Sequence, residues 1–219
     1  MHLISVNAGR PRYLARHDFR GLTGIFKEPV AGAVAVTPEG VAGDTVCDTQ
    51  HHGGLDQAVY VYGGEDYAWW AQELGRSLEP GTFGENLTVH GLEGSSFAVG
   101  DRLQVGSVVL EVTGPRIPCS TLAARMDEPA FIRRFREAER PGFYCRVSVP
   151  GTLQAGDPVR WEPYPGERVT VLELFQAAYR DDLPPDALRR ILAVPVAVRL
   201  RVRMERRLAR LLAGGRGLE

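Results

Sequence analysis

The chain has 219 residues, 44% hydrophobic and 24% charged, with a net charge of -1, the balance of a folded globular protein with one good-sized core and a small appendage. That balance excludes a disordered chain and argues against nucleic-acid binding by the molecule as a whole. Three widely spaced cysteines, Cys47, Cys119 and Cys145, with no Cys-x-x-Cys pair, support neither a disulfide framework nor a zinc knuckle, and fit a reducing cytoplasm.

The first residues, Met1 to Asn7, start a short strand and lack the basic and apolar regions of a secretion signal. No apolar run approaches the length of a membrane span, so a soluble, cytoplasmic protein without a membrane partner is expected. From residue 1 to about 112 the spacing is mostly strand-like, with β-branched or aromatic runs at Ala33–Val36, Ala58–Tyr62 and Val108–Val112. Gly-Asp pairs at Gly43-Asp44, Gly100-Asp101 and Gly156-Asp157 each predict a turn leading into a strand. The expected architecture is mainly β, a closed or nearly closed barrel over residues 1–162 with short peripheral helices. Helical stripes interrupt it at Glu65–Leu74 and Glu128–Ala138.

After Trp161-Glu162 the segment Pro163-Tyr164-Pro165-Gly166 reads as a linker. Thr170-x-x-Glu173 is a capping box, with Val169 and Leu174 placed for a hydrophobic staple. Pro184-Pro185 and Pro195 punctuate two further helices, Asp186–Ala193 and one running to about Leu212, which makes residues 163–219 a small three-helix domain. This tail carries 11 basic and 7 acidic side chains, and Arg199, Arg203, Arg206 and Arg210 recur at helical spacing, the usual mark of a solvated face.

The stretch with most chemistry is Gly114-Pro115-Arg116-Ile117-Pro118-Cys119, followed by the helix-forming Ser120–Arg125. Two prolines hold the backbone extended up to Cys119, which places the sulfur near a helix N-terminus with Arg116 close by. Both favour a thiolate, a nucleophile or soft-metal ligand, although a lone cysteine is as readily a small buried hydrophobe. Of 26 basic residues only Lys27 is a lysine, a compact charge suited to an anionic oxygen such as phosphate. His51-His52-Gly53-Gly54 offers imidazoles near neutral pH, Gly84-Glu85-Asn86 an amide on a close-approaching backbone, and Gly142–Val147 a strand with Arg146 facing a pocket.

In order, Gly43-Asp44, His51–Asp56, Phe83–Leu87, Pro115–Cys119 and Gly142–Arg146 resemble the molybdenum cofactor sulfurase C-terminal (MOSC) domain. More closely, the chain resembles the stand-alone bacterial MOSC proteins that detoxify N-hydroxylated bases such as 6-hydroxylaminopurine. The resemblance implies a MOSC-type β-barrel binding the molybdenum cofactor, molybdopterin with Mo, with Cys119 as the metal ligand. It places Lys27, Arg116, Asn86 and Arg146 as cofactor-binding residues, and Cys119, His51 and His52 as catalytic. It implies an oxidoreductase that reduces a small N-hydroxylated substrate to the amine with electrons from a separate flavoprotein, and leaves the oligomeric state, monomer or homodimer, open. Two departures stand out: family members often carry Gln at Gly114 and a basic residue at Gln57, the latter expected at the cavity rim. The alternatives are a non-enzymatic cofactor carrier or sulfur-handling module, and a cysteine hydrolase with His51 or His52 as base.

Overall fold

The computed structural model describes residues 1–50, 52–92 and 96–214. In chain order the strands and helices are β1 (His2–Gly9), β2 (Arg12–Arg16), β3 (Phe19–Thr23), β4 (Lys27–Pro29), β5 (Val34–Thr37), β6 (Gly40–Val41), β7 (Val59–Gly63), α1 (Gly64–Leu74), β8 (Leu87–His90), β9 (Arg102–Val105) and β10 (Val108–Pro115). They continue with α2 (Ser120–Met126), α3 (Phe131–Ala138), β11 (Phe143–Val149), β12 (Gly151–Leu153), β13 (Val159–Glu162), α4 (Val171–Ala177), α5 (Pro185–Ala193) and α6 (Val198–Gly214). Eight strands form one mixed sheet in the order β13-β9-β10-β11-β7-β8-β1-β4, with β5, β6 and β12 in a second sheet and β2-β3 a separate hairpin.

Strand β7 organises the middle of the sheet because all five of its residues are buried. Its period of two sends Val59 and Val61 into an aliphatic core with Leu87, Val112 and Phe143. Tyr60 and Tyr62 go the other way, into an aromatic core with Trp70, Phe83, Phe131 and Phe135. The tyrosines enter without stranding their hydroxyls: Tyr60 donates to Pro141 O at 2.8 Å and Tyr62 to Arg140 O at 2.9 Å. Helix α1 then returns the chain to β8, which pairs with β7 in parallel.

The sheet curls strongly. Leu3 N–H donates to Asp157 O at 2.9 Å and Val159 N–H to Met1 O at 3.1 Å, so β1 meets the turn into the far edge strand β13. The join is the single bridge His2–Pro158 rather than a ladder, so the sheet-rich class stands and the closed barrel expected from the sequence is not established by it.

Several local expectations hold. The capping box is formed, with Glu173 N–H to Thr170 Oγ1 at 3.0 Å and Thr170 N–H to Glu173 Oε2 at 2.7 Å, and Pro185 opens α5. Others shift for identifiable reasons. Helix α3 begins at Phe131 rather than Glu128 because Pro129 disfavours helical backbone at Glu128. The Gly43-Asp44 turn leads into irregular backbone instead of a strand. Residues 163–166 are no free linker: the buried Asp101 carboxylate accepts from Trp161 Nε1 at 3.0 Å, Tyr164 N–H at 2.7 Å and Arg168 at 3.1 Å, fastening the start of the C-terminal helical region to the sheet.

That region has its own apolar cluster, which includes Leu174, Leu188, Ile191, Val194 and Met204. It is also tied to the sheet by Ala197 N–H to Thr113 O at 3.1 Å and Val198 N–H to Asp56 Oδ2 at 2.7 Å. Among the described residues, no helix is long and apolar enough to cross a membrane.

Candidate functional site

Cys119 is the N-cap of α2, in extended backbone, as the Pro-Arg-Ile-Pro run predicts. It opens onto a cavity lined also by Lys27, Asp44, His52, Asn86, Arg116 and Tyr144. Burial alone pushes the thiol up, but a hydrogen bond from His52, the Arg116 charge and the Leu122 N–H outweigh it and bring its pKa down to about 6. The other two cysteines shift the opposite way, Cys47 and Cys145 both raised first by burial. Only Cys119 among the three is held as a thiolate at neutral pH.

Arg116 is 4% exposed and donates from a terminal nitrogen to Phe83 O. Its guanidinium carbon lies 5.2 Å from the centre of the Tyr60 ring. The Nε of Arg116 is buried without a hydrogen-bond partner among the described residues. An orphaned N–H costs free energy in the apo chain that an anionic acceptor in this cavity would recover.

Lys27 also lines the cavity, yet its ammonium is taken up by Asp44 Oδ2 in a buried ion pair, with burial lowering its pKa against the opposing pull of that carboxylate. Asp44 further accepts Gly9 N–H at 2.8 Å and Asn86 Nδ2 at 2.8 Å. Asn86 accepts Tyr60 N–H at 3.0 Å on Oδ1, so its amide is spent on bracing three segments around the cavity wall. Its neighbour Glu85, fully buried, accepts Tyr67 OH at 2.6 Å, Gly81 N–H at 2.6 Å and Thr88 Oγ1 at 2.7 Å on one oxygen, and burial raises its pKa. Glycine is required where this scaffold comes close: a Cβ on Gly24 would collide with Thr45 O, and one on Gly84 (φ 75°) with Ile25.

Arg146 does not belong to this cavity. It pairs with Asp56 at 2.9 Å and Glu111 at 3.2 Å and donates to Pro195 O at 3.1 Å. The reason is register: Glu111 on β10 stands directly opposite Arg146 on β11. His51 lies outside the described residues, so of the adjacent histidines only His52 is placed at the site. Gln57, partly buried, lines both this cavity and a second one, and its Oε1 has no partner among the described residues. Asp44, Tyr60 and Tyr144 line the cavity without having been singled out from the sequence, although Asp44 sits in a Gly-Asp pair and Tyr60 in an alternating β7 pattern that signals two buried faces.

Among the described residues, no three His, Cys, Asp or Glu side chains stand close enough to hold a metal between them. A metal placed here would take the one thiolate from the protein and its remaining ligands from elsewhere.

The MOSC domain family matches residues 48–160, and a YiiM-like three-helix domain matches residues 169–211. Protein YflK of Bacillus subtilis (strain 168) is 33% identical over 191 residues, covering 87% of this chain and 86% of that protein. Protein YiiM of Escherichia coli (strain K12) is 30% identical over 172 residues, covering 77% and 76%. Its crystal structure superposes with a TM-score of 0.75 over 98% of this chain and 94% of that one. A protein of Gibberella moniliformis named reductase is 32% identical over 173 residues, or 74% of this chain, which spans only 30% of that larger protein.

Proposed function

Because the chain belongs to the MOSC family, whose domain model spans more than half of it, we propose that it binds a molybdenum–pterin cofactor through Cys119 and reduces N-hydroxylated substrates, such as 6-hydroxylaminopurine, to the amine. The observation that carries this reading is a cysteine with pKa about 6 facing a cavity that also holds a buried, incompletely satisfied arginine. The donor set fits the group. A thiolate is the soft ligand that molybdenum prefers, and the orphan Arg116 Nε–H is a donor for an anionic part of the cofactor. The similarity to a fungal reductase supports the reaction class. In this reading the curled sheet of residues 1–162 is the family's barrel and residues 163–219 form a separate three-helix domain.

When bound, the cofactor supplies two-electron redox chemistry, replenished by a separate flavoprotein. The chain's part is to position and to manage charge and protons. Cys119 anchors the metal, and Arg116 and the helix terminus keep it ionised. Lys27 is paired with Asp44, and the pair fixes the loop carrying Gly43 and Asp44 against β4, while the remaining ammonium protons are donors available to an anionic part of the cofactor. Reduction breaks the N–O bond, consumes two electrons and two protons, and releases the amine and water. His52, which lines the same cavity as Cys119, would hand a proton to the departing oxygen.

Protein from a host with intact cofactor synthesis should carry about one molybdenum per chain, as a single ligating thiolate requires. Cys119→Ser should lose both the metal and hydroxylaminopurine reduction, and unchanged metal content in that variant would refute the assignment. Bound molybdopterin with no turnover, even with an artificial electron donor, would identify a carrier instead.

A further inference from the structure

A second cavity adjoins the first and shares His52, Gln57 and Tyr144 with it. One side is apolar, formed by Ile117 of the cysteine loop and Leu200 of α6; another side carries Arg199 and Arg203. Their i, i+4 spacing sets both guanidiniums on the same helix face, a like-charge pair that disfavours the isolated helix. Among the described residues, no carboxylate lines the cavity to offset them. Arg199 spends one nitrogen on Thr49 O at 3.0 Å, whereas Arg203 makes no hydrogen bond or ion pair among the described residues. The space is widened by Gly114, where a Cβ would meet nothing within 4 Å.

We infer that this cleft is a phosphate subsite beside the Cys119 cavity, so that a nucleotide is bound in preference to the corresponding free base or nucleoside. The guanidinium fork matches a phosphate in geometry and charge. A concave cleft with a flat apolar side suits a planar ring attached to that phosphate better than a protein surface. The Gln57 Oε1 atom, buried and without a partner among the described residues, lines both cavities and is an acceptor for an N–H of the ring. The four tail arginines that look alike in sequence therefore divide: Arg199 and Arg203 line the cleft, while Arg206 and Arg210 do not. The N-hydroxylated identity of the base rests on the function proposed above; the phosphate subsite does not.

The test compares adenosine 5′-monophosphate with adenosine by calorimetry at low salt, on both cofactor-loaded and cofactor-free protein. The nucleotide should bind about tenfold more tightly than the nucleoside, the scale of one or two charge-assisted contacts, and inorganic phosphate should compete for that advantage. Arg203→Ala, at an exposed side chain with no structural partner among the described residues, should remove most of the advantage. Arg203→Lys should keep part of it, and Arg206→Ala should keep all of it. Equal binding of nucleotide and nucleoside, absence of binding by both, or a full advantage in Arg203→Ala would overturn the subsite. A nucleotide preference in protein that reduces no N-hydroxylated compound would uphold the subsite while refuting the reductase.

Discussion

The low thiol pKa of Cys119 is the property on which the site depends, and it can be taken apart. With a pKa of about 6 the sulfur is about nine-tenths thiolate at pH 7, whereas an ordinary thiol near 9 would be ionised to about 1%. Burial works against ionisation, so the lowering comes from His52, Arg116 and the Leu122 N–H together. His52→Ala removes both the hydrogen bond and the charge that the ring contributes while leaving burial in place. The midpoint should then climb by at least one pH unit, a tenfold fall in the thiolate-to-thiol ratio or about 1.4 kcal/mol, which brings the sulfur from about nine-tenths to about one-half thiolate at pH 7. The assay is the pH dependence of alkylation in cofactor-free protein carrying Cys47→Ser; Cys145 is fully buried and stays silent. A wild-type midpoint in the ordinary thiol range, or a midpoint unmoved by His52→Ala, would refute the electrostatic account. The linkage has a definite sign. The folded thiol ionises below the unfolded one, so its contribution to stability is complete above the unfolded value near 9 and is lost as pH falls through about 6.

Other perturbations separate support from chemistry. Arg146→Ala should cost about 2–3 kcal/mol in denaturant midpoints, through two ion pairs and a carbonyl contact left unmade, while molybdenum content stays normal. Asp44→Ala should destabilise by about 3–5 kcal/mol at neutral pH, because it leaves the Lys27 ammonium buried without a counter-charge, and chemical denaturation reads this directly. Thr170→Ala should cost about 1 kcal/mol by dismantling one half of the capping box, with cofactor content unaffected. Gly24→Ala, at a position where the added carbon meets backbone, should reduce metal content by displacing the cavity wall, measurable by metal analysis of the folded fraction.

What could be read from the sequence was local. The thiolate at Cys119 follows from prolines before it and helix formers after it, all within a few residues, and the capping box at Thr170 is a four-residue signal. What escaped was pairing at a distance. Lys27 looks like a free cation until the Gly43-Asp44 turn folds back on β4, and Arg146 looks pocket-facing until the β10–β11 register sets Glu111 opposite it. Asn86 lines the cavity, but its amide is consumed by Asn7, Asp44 and Tyr60, segments whose proximity no spacing rule encodes. The cleft under α6 was invisible for the same reason, since one side comes from residues 113–117 and another from residues 197–203.

The loop that follows Cys47 serves two masters. Thr49 O and the Asp56 carboxylate hold the start of α6, while His52 between them and Gln57 just after Asp56 face the cavities. Docking of the tail and ionisation of the thiol are therefore linked free energies: whatever steadies α6 on the loop also steadies the imidazole beside the sulfur, and the converse holds by reciprocity. A substitution that loosens α6 from this loop should therefore be read for its effect on the thiol as well as on stability.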